Sequence, residues 1–80
     1  MSEFKVKAFG ITKDILCGKE LVIEVKGTTV SALRRELTER YPRLQGLRSL
    51  MIAVNSEYAE EEKILAPDDE IALIPPVSGG

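Results

Sequence analysis

The 80-residue chain has no histidine, no tryptophan and one cysteine, Cys17. Without histidine it cannot build a Ser–His or Cys–His nucleophile pair, or a His-containing zinc site, by itself. One cysteine excludes an internal disulfide, a CxxC redox pair and a Cys-ligated iron–sulfur cluster held by this chain alone. No stretch approaches the ~20 apolar residues of a membrane span. Met1-Ser2-Glu3-Phe4-Lys5 shows no basic region followed by an apolar run, so no signal peptide is expected. With no disulfide framework, the cytoplasm is the default compartment. Positive charge is not in excess either: 11 Lys and Arg face 13 Asp and Glu, a net charge of −2, which argues against nucleic acid as the main partner.

The length bounds the rest. Eighty residues make one domain with a small core, so any active-site cavity must be shallow or shared with a partner. Phe4, Val6 and Ala8 alternate with Lys5 and Lys7, the period-2 pattern of a half-buried strand over Phe4 to Phe9. A connection containing Gly10 and Gly18 follows and reads as a long, loosely specified loop. Leu21, Ile23 and Val25 then share one face of a second strand that Gly27 ends, and the two strands predict an antiparallel hairpin. Thr28 or Thr29 can cap a helix whose stripe is Val30, Leu33, Leu37 and Tyr41. Pro42 disfavours helical geometry at Tyr41 and ends it there. Arg34 and Arg35 read as a solvated helix surface.

Leu50 to Val54 predicts a strand buried on both faces, Asn55-Ser56-Glu57 a turn, and Tyr58-Ala59 a brief edge strand. Glu60 to Lys63 is a polar loop, Pro67-Asp68-Asp69 a turn, and Ile71 to Ile74 a last apolar strand. The order β-β-α-β-(β)-β suits an α+β chain, a mixed sheet of four to five strands packed on one main helix, as in the β-grasp fold. Residues 1–74 are expected to form that domain, and 75–80 a flexible C-terminal Gly-Gly tail.

After Ile74 the chain reads Pro75-Pro76-Val77-Ser78-Gly79-Gly80. Pro75 cannot continue a central ladder, and two consecutive prolines favour a stiff, extended base. Gly79 and Gly80 carry no side chains. The result is a narrow tip ending in a carboxylate, able to enter a channel that larger residues would block. A carboxylate acylates poorly until it is activated, for example by adenylation. A frayed terminus would also end in Gly-Gly, but it has no need of a Pro-Pro stiffener joined to a core strand.

The segment from Asp68 to Gly80 resembles the C-terminal signature of the small, sulfur-carrier subunits of molybdopterin synthase, within the ubiquitin-like sulfur-carrier family. Val54-Asn55-Ser56-Glu57-Tyr58 is similar to that family's VN turn, and Thr29-Val30-Ser31-Ala32-Leu33 to its helix start. The resemblance spans essentially the whole chain and implies a ubiquitin-like β-grasp fold. It implies that the Gly80 carboxylate is adenylated by an ATP-dependent adenylating and sulfurating enzyme and converted to a thiocarboxylate. The tail, through Pro75, Pro76, Val77, Ser78 and Gly79, then inserts into the large subunit of molybdopterin synthase, a heterotetramer. There it donates sulfur to cyclic pyranopterin monophosphate. On this reading the chain binds no cofactor or metal, and ATP is consumed by the activating enzyme. One departure lies after the first strand, where Lys13-Asp14 stands in place of the family's frequent Arg-Glu pair, with Cys17-Gly18 near its glycine.

Three other readings stay open: a sulfur carrier for thiamine thiazole synthesis, a ubiquitin-like protein modifier, and a non-catalytic β-grasp interaction module. Cys17 lies near Lys13 and Lys19 and reads as a bland loop or core-edge residue rather than a persulfide carrier. Phe9, Leu65 and Ile74 are candidates for an apolar interface or for the core. Charge is split along the chain: residues 1–27 carry +1, 28–49 carry +3 and 50–80 carry −6. The acids of 57–70 either steer the chain toward basic partners or simply solubilise a loop.

Overall fold

A computed structural model describes residues 2–46 and 50–75 of the chain. Five strands form one mixed sheet: β1 (Ser2–Ala8), β2 (Glu20–Val25), β3 (Met51–Val54), β4 (Glu57–Tyr58) and β5 (Ile71–Ile74). Their order across the sheet is β2-β1-β5-β3-β4. The expected hairpin forms, with Phe4 opposite Ile23 and Val6 opposite Leu21. β5 inserts in the middle, parallel to β1 and antiparallel to β3.

Alternation decides which face is buried. Phe4, Val6, Ala8, Ile23, Val25, Ile52, Val54, Ile71 and Leu73 point to one side and are almost fully buried. The main helix, α2 (Val30–Arg40), lays Val30, Leu33 and Leu37 on that side, and Tyr41 packs half-buried at the edge of the same cluster. The helix starts where three amides find acceptors. Thr29 Oγ1 accepts from the Ala32 N–H at 3.1 Å, and the carbonyls of Lys63 and Glu61 accept from Val30 and Ser31 at 3.0 Å. The acidic loop is therefore stitched to the helix N-terminus as well as being a polar surface. The helix stops at Tyr41, whose N–H still reaches the Leu37 carbonyl, before Pro42 opens a short 3-10 turn to Gly46.

Several expectations are corrected. The connection after β1 is not a loose loop: it holds a short helix, α1 (Ile11–Leu16), so the described chain has two helices. Thr12 is fully buried there; its hydroxyl accepts from the Phe9 N–H at 2.8 Å and donates to the Phe9 carbonyl, while Ile15 and Leu16 join the core. The edge strand is Glu57–Tyr58, one residue earlier than Tyr58-Ala59. Met51 is 40% exposed, so β3 is buried on both faces only over Ile52 to Val54. Of the two readings left open for Leu65, the structure shows the core one. Arg34 is not a freely solvated residue: its Nη1 donates to the Leu50 carbonyl at 2.7 Å and its Nε lies 2.8 Å from Glu61 Oε1. That second contact is a charge pairing rather than a directed bond, because the buried Nε has no well-aligned acceptor. Arg35 is exposed, as the helix pattern predicts.

Asn55 latches the end of the sheet. Asn55 and Ser56 have φ of 52° and 70°, the paired positive values of a tight hairpin turn between β3 and β4. The Asn55 Oδ1 accepts from the Glu70 N–H and its Nδ2 donates to Asp69 Oδ1, both at 3.0 Å, while its own N–H reaches the Glu70 carbonyl at 2.7 Å. One side chain thus fixes the β3–β4 turn to the turn before β5. We expect Asn55→Ala to lower unfolding free energy by about 2 kcal/mol, from lost hydrogen bonds and a left-handed backbone. Asn55→Gly should cost less, because it keeps the backbone and loses only the bonds. Urea denaturation of the two variants checks the ranking.

Candidate functional site: the open sheet face and the end of the central strand

The helices cover one face of the sheet; the other is open, and it divides in two. Over β1 and β2 it carries Glu3, Lys5, Lys7, Glu20 and Glu24 around a lone Val22. Over β5, β3 and β4 it is apolar. Met51 stands opposite Ile74, and Ala53 lies between Ala72 and Tyr58. Tyr58 is 67% exposed and Phe9, just past β1, is 45% exposed. The two alanines form a low floor between these larger residues. The result is a shallow cleft of about 350 Å³, lined by Phe9, Ala53, Tyr58, Ala72 and Ile74, with Lys7, Ser56 and Glu70 on its rim. A contiguous apolar patch with a polar rim is the kind of surface on which partners dock.

The end of β5 borders this cleft. β5 is paired on both edges, so a proline can only follow it, and Pro75 does so directly beyond Ile74. Pro75 is half-buried against the turn after β1. A Cβ on Gly10, whose φ of +58° also favours glycine, would come within 3.0 Å of the Pro75 ring. Of the expected tail residues, Pro75 is described: it follows Ile74 and packs beside Gly10. Pro76, Val77, Ser78, Gly79 and Gly80 lie outside the described residues. Phe9 and Ile74 join the same surface, whereas Leu65 does not. Ala53 and Ala72 sit inside unbroken apolar runs and Tyr58 in a turn motif, so the sequence gives none of them as a site residue.

Lys7 and Glu70 meet at the border between the charged and apolar halves, Nζ to Oε1 at 2.6 Å. The hydrogen bond from Lys7, and then its charge, hold the Glu70 carboxyl below its usual range; the same contact raises Lys7. Asp69 is lowered by the Ala66 N–H and then by Asn55. Three acids of the 57–70 segment thus have internal roles, since Glu61 faces Arg34. Cys17 caps α1 with φ of 60°, and its exposed thiol lies 3.9 Å from the Asp14 carbonyl, as befits a loop cysteine. Lys13 and Asp14 are exposed on α1. Among the described residues no cluster of His, Cys, Asp and Glu could hold a metal ion, and no helix is long and apolar enough to cross a membrane.

A contribution from a lowered carboxyl is present above its ordinary value and lost as pH falls through the depressed one. A contribution from a raised lysine is present below its ordinary value and lost as pH rises through the elevated one. The Lys7–Glu70 pair should therefore contribute a constant amount across neutral pH. The difference in Tm between the native chain and Glu70→Gln should be flat there and shrink in acid; a thermal melt series checks it.

Comparison with known proteins agrees with this architecture. The model of the ThiS family matches residues 6–80. The molybdopterin synthase sulfur carrier subunit of Arabidopsis thaliana is 34% identical over 80 residues, covering 98% of this chain and 83% of the relative. Among solved structures, the small archaeal modifier protein 1 of Methanosarcina acetivorans superposes with a TM-score of 0.81 at 28% identity, over 100% of this chain and 98% of that one. The chain also superposes with a TM-score of 0.69 at 28% identity on a chain of the complex of subunits 1 and 2 of the Helicobacter pylori molybdopterin-converting factor, covering 98% and 99%.

Proposed function

The chain belongs to the ThiS family, and we propose that it works as the sulfur carrier of molybdenum cofactor biosynthesis, the small subunit of a molybdopterin synthase. The observation that carries this reading is the coupling of a Pro-Pro-Val-Ser-Gly-Gly terminus to a central strand beside an exposed apolar cleft. The ubiquitin-like β-grasp frame supports it.

In this reading the Gly80 carboxylate is the reacting group. Its oxygen attacks the α-phosphorus of ATP on a partner adenylating and sulfurating enzyme, and pyrophosphate leaves. A sulfur nucleophile then displaces AMP from the acyl carbon, and the terminus becomes a thiocarboxylate. Within the large subunit that sulfur passes to cyclic pyranopterin monophosphate, and water restores the carboxylate. Gly79 supplies clearance beside the reacting carbon, and Pro75, Pro76, Val77 and Ser78 line the approach. The chain itself binds no cofactor. Lacking histidine, it acts in this reading as a co-substrate, and the catalytic side chains come from the partner. The large subunit docks on Phe9, Ile74 and Tyr58, giving a heterotetramer with one small subunit at each end. The cytoplasm is the matching compartment.

The likeness to an archaeal modifier protein favours a second reading, conjugation of Gly80 to lysines of other proteins. Both readings share the adenylation step and differ in the nucleophile that then attacks the acyl carbon, sulfur in one and a lysine amine in the other. Incubation with a family activating enzyme, ATP and a sulfide source should raise the intact mass by one oxygen-to-sulfur exchange, absent when Gly80 is deleted. An unchanged mass, with the enzyme proven on a known carrier, would overturn the sulfur-carrier reading; a ladder of heavier adducts in cell extract would support conjugation instead.

Docking can be tested apart from the chemistry. Ile74→Asp should weaken binding to a large subunit by about 2 kcal/mol, roughly 30-fold in Kd, because it puts a charge into the apolar lining of the cleft. Val22→Asp, on the charged half, should change it less than twofold. Calorimetric titration distinguishes them.

A further inference from the structure

β2 is an outer strand of the sheet, and one of its edges is unpaired in the described structure. The direction of its backbone groups follows from the hairpin register. The Ala8 N–H donates to the Lys19 carbonyl at 2.8 Å, so Ala8–Lys19 is a hydrogen-bonded pair. By alternation so are Val6–Leu21, Phe4–Ile23 and Ser2–Val25. Glu20, Val22 and Glu24 must then aim their N–H and C=O groups outward, at the free edge.

We propose that this edge pairs with the same strand of a second copy, antiparallel, with Val22 opposite Glu24 and Glu20 opposite Lys26, the first residue past the end of β2. In that register the outward-facing residues fall opposite one another, as the ladder requires. Ile23 meets its own counterpart on the twofold axis. Each Glu20 faces a Lys26 of the other copy, giving two cross-strand ion pairs on the open face. The neighbouring registers are worse: a shift one way sets Glu24 against Glu24, and a shift the other way sets Glu20 against Glu24. Lys5 already lies 3.8 Å from Glu20, loosely enough for the carboxylate to be shared.

Directly opposed residues of an antiparallel pair share a face, so the two open faces lie on the same side of a continuous sheet of ten strands. β2 is separated from β5 by β1, so the apolar clefts stay free, away from the shared edge. Charged residues on the edge and the small area keep the association weak. It does not depend on the sulfur-carrier reading.

Sedimentation velocity over about 10 µM to about 1 mM checks it. The native chain should pass from monomer toward dimer over that range. Lys26→Glu should weaken dimerisation at least tenfold, and Glu20→Lys combined with Lys26→Glu should restore it. Hydrogen exchange at the Val22 and Glu24 amides should slow with concentration, while that at other exposed amides does not. A chain that stays monomeric throughout would overturn the proposal. So would a dimer indifferent to the charge swap, or one that protects β4 rather than β2.

Discussion

The parallel ladder between β1 and β5 joins the two ends of the chain at the middle of the sheet. Val6 pairs with Ile71 and Ala8 with Leu73, all four almost fully buried. On its other edge β5 is bonded to β3, with Ile52 opposite Leu73. The last strand is thus the most enclosed one. Its inward residues complete the core under α2, and its outward residues, Ala72 and Ile74, build the cleft. Pro75 follows at the first position where a missing N–H does no harm to the ladder. Moving β5 to an edge would separate the terminus from the cleft and leave β1 and β3 without a common neighbour.

A chain this short has one helix of eleven residues to cover a five-stranded sheet, and that helix can cover only one face. The other face must either be made polar or be left for a partner. This sequence does both, in separate places. Lysines and glutamates cover the β1–β2 half, where charges of opposite sign stand on neighbouring strands, as in Lys5 with Glu20. The β5–β3–β4 half keeps Met51, Tyr58 and the adjoining Phe9 exposed and Ile74 half-buried. Lys7 and Glu70 mark the boundary, and their pairing holds a lysine away from the apolar surface. Such an arrangement confines an apolar footprint to the part of the face next to the terminus.

Alternation makes β1 and β2 legible, and with them their core sides; β3 and β5 show in the sequence only as apolar runs, without a core side. The stripe of α2 and its stop at Tyr41 were equally plain, since Thr29 and Pro42 act through local geometry. Residues whose roles depend on distant contacts were not legible. α1 escaped because its buried face includes a threonine, Thr12, whose polarity is satisfied by Phe9 and is invisible in a pattern of apolar spacings. Phe9 and Leu65 look alike in sequence, yet Leu65 is buried beside Thr28, whose carbonyl accepts from its N–H at 2.6 Å, while Phe9 stays at the surface. Arg34 looked solvated until the chain around Leu50 and Glu61 folded back on it. The VN turn was recognisable as a motif, but its purpose appears only when Asn55 is seen holding Asp69 and Glu70.

Docking and delivery are tied together by length. Six residues, Pro75 to Gly80, reach at most ~20 Å when fully extended. Any enzyme that acts on the Gly80 carboxylate must bring its reacting centre within that distance of the cleft rim. In the proposed cycle this holds for the adenylating enzyme and for the synthase alike. Each must grip a surface close to the end of β5, and the apolar half of the open face is what the chain offers there. Two enzymes that need the same small patch cannot hold it together, so a carrier of this shape has to let go of one before it can serve the other. A shallow cleft with few aromatic residues suits that demand better than a deep one, because exchange between partners is governed by how fast each complex dissociates.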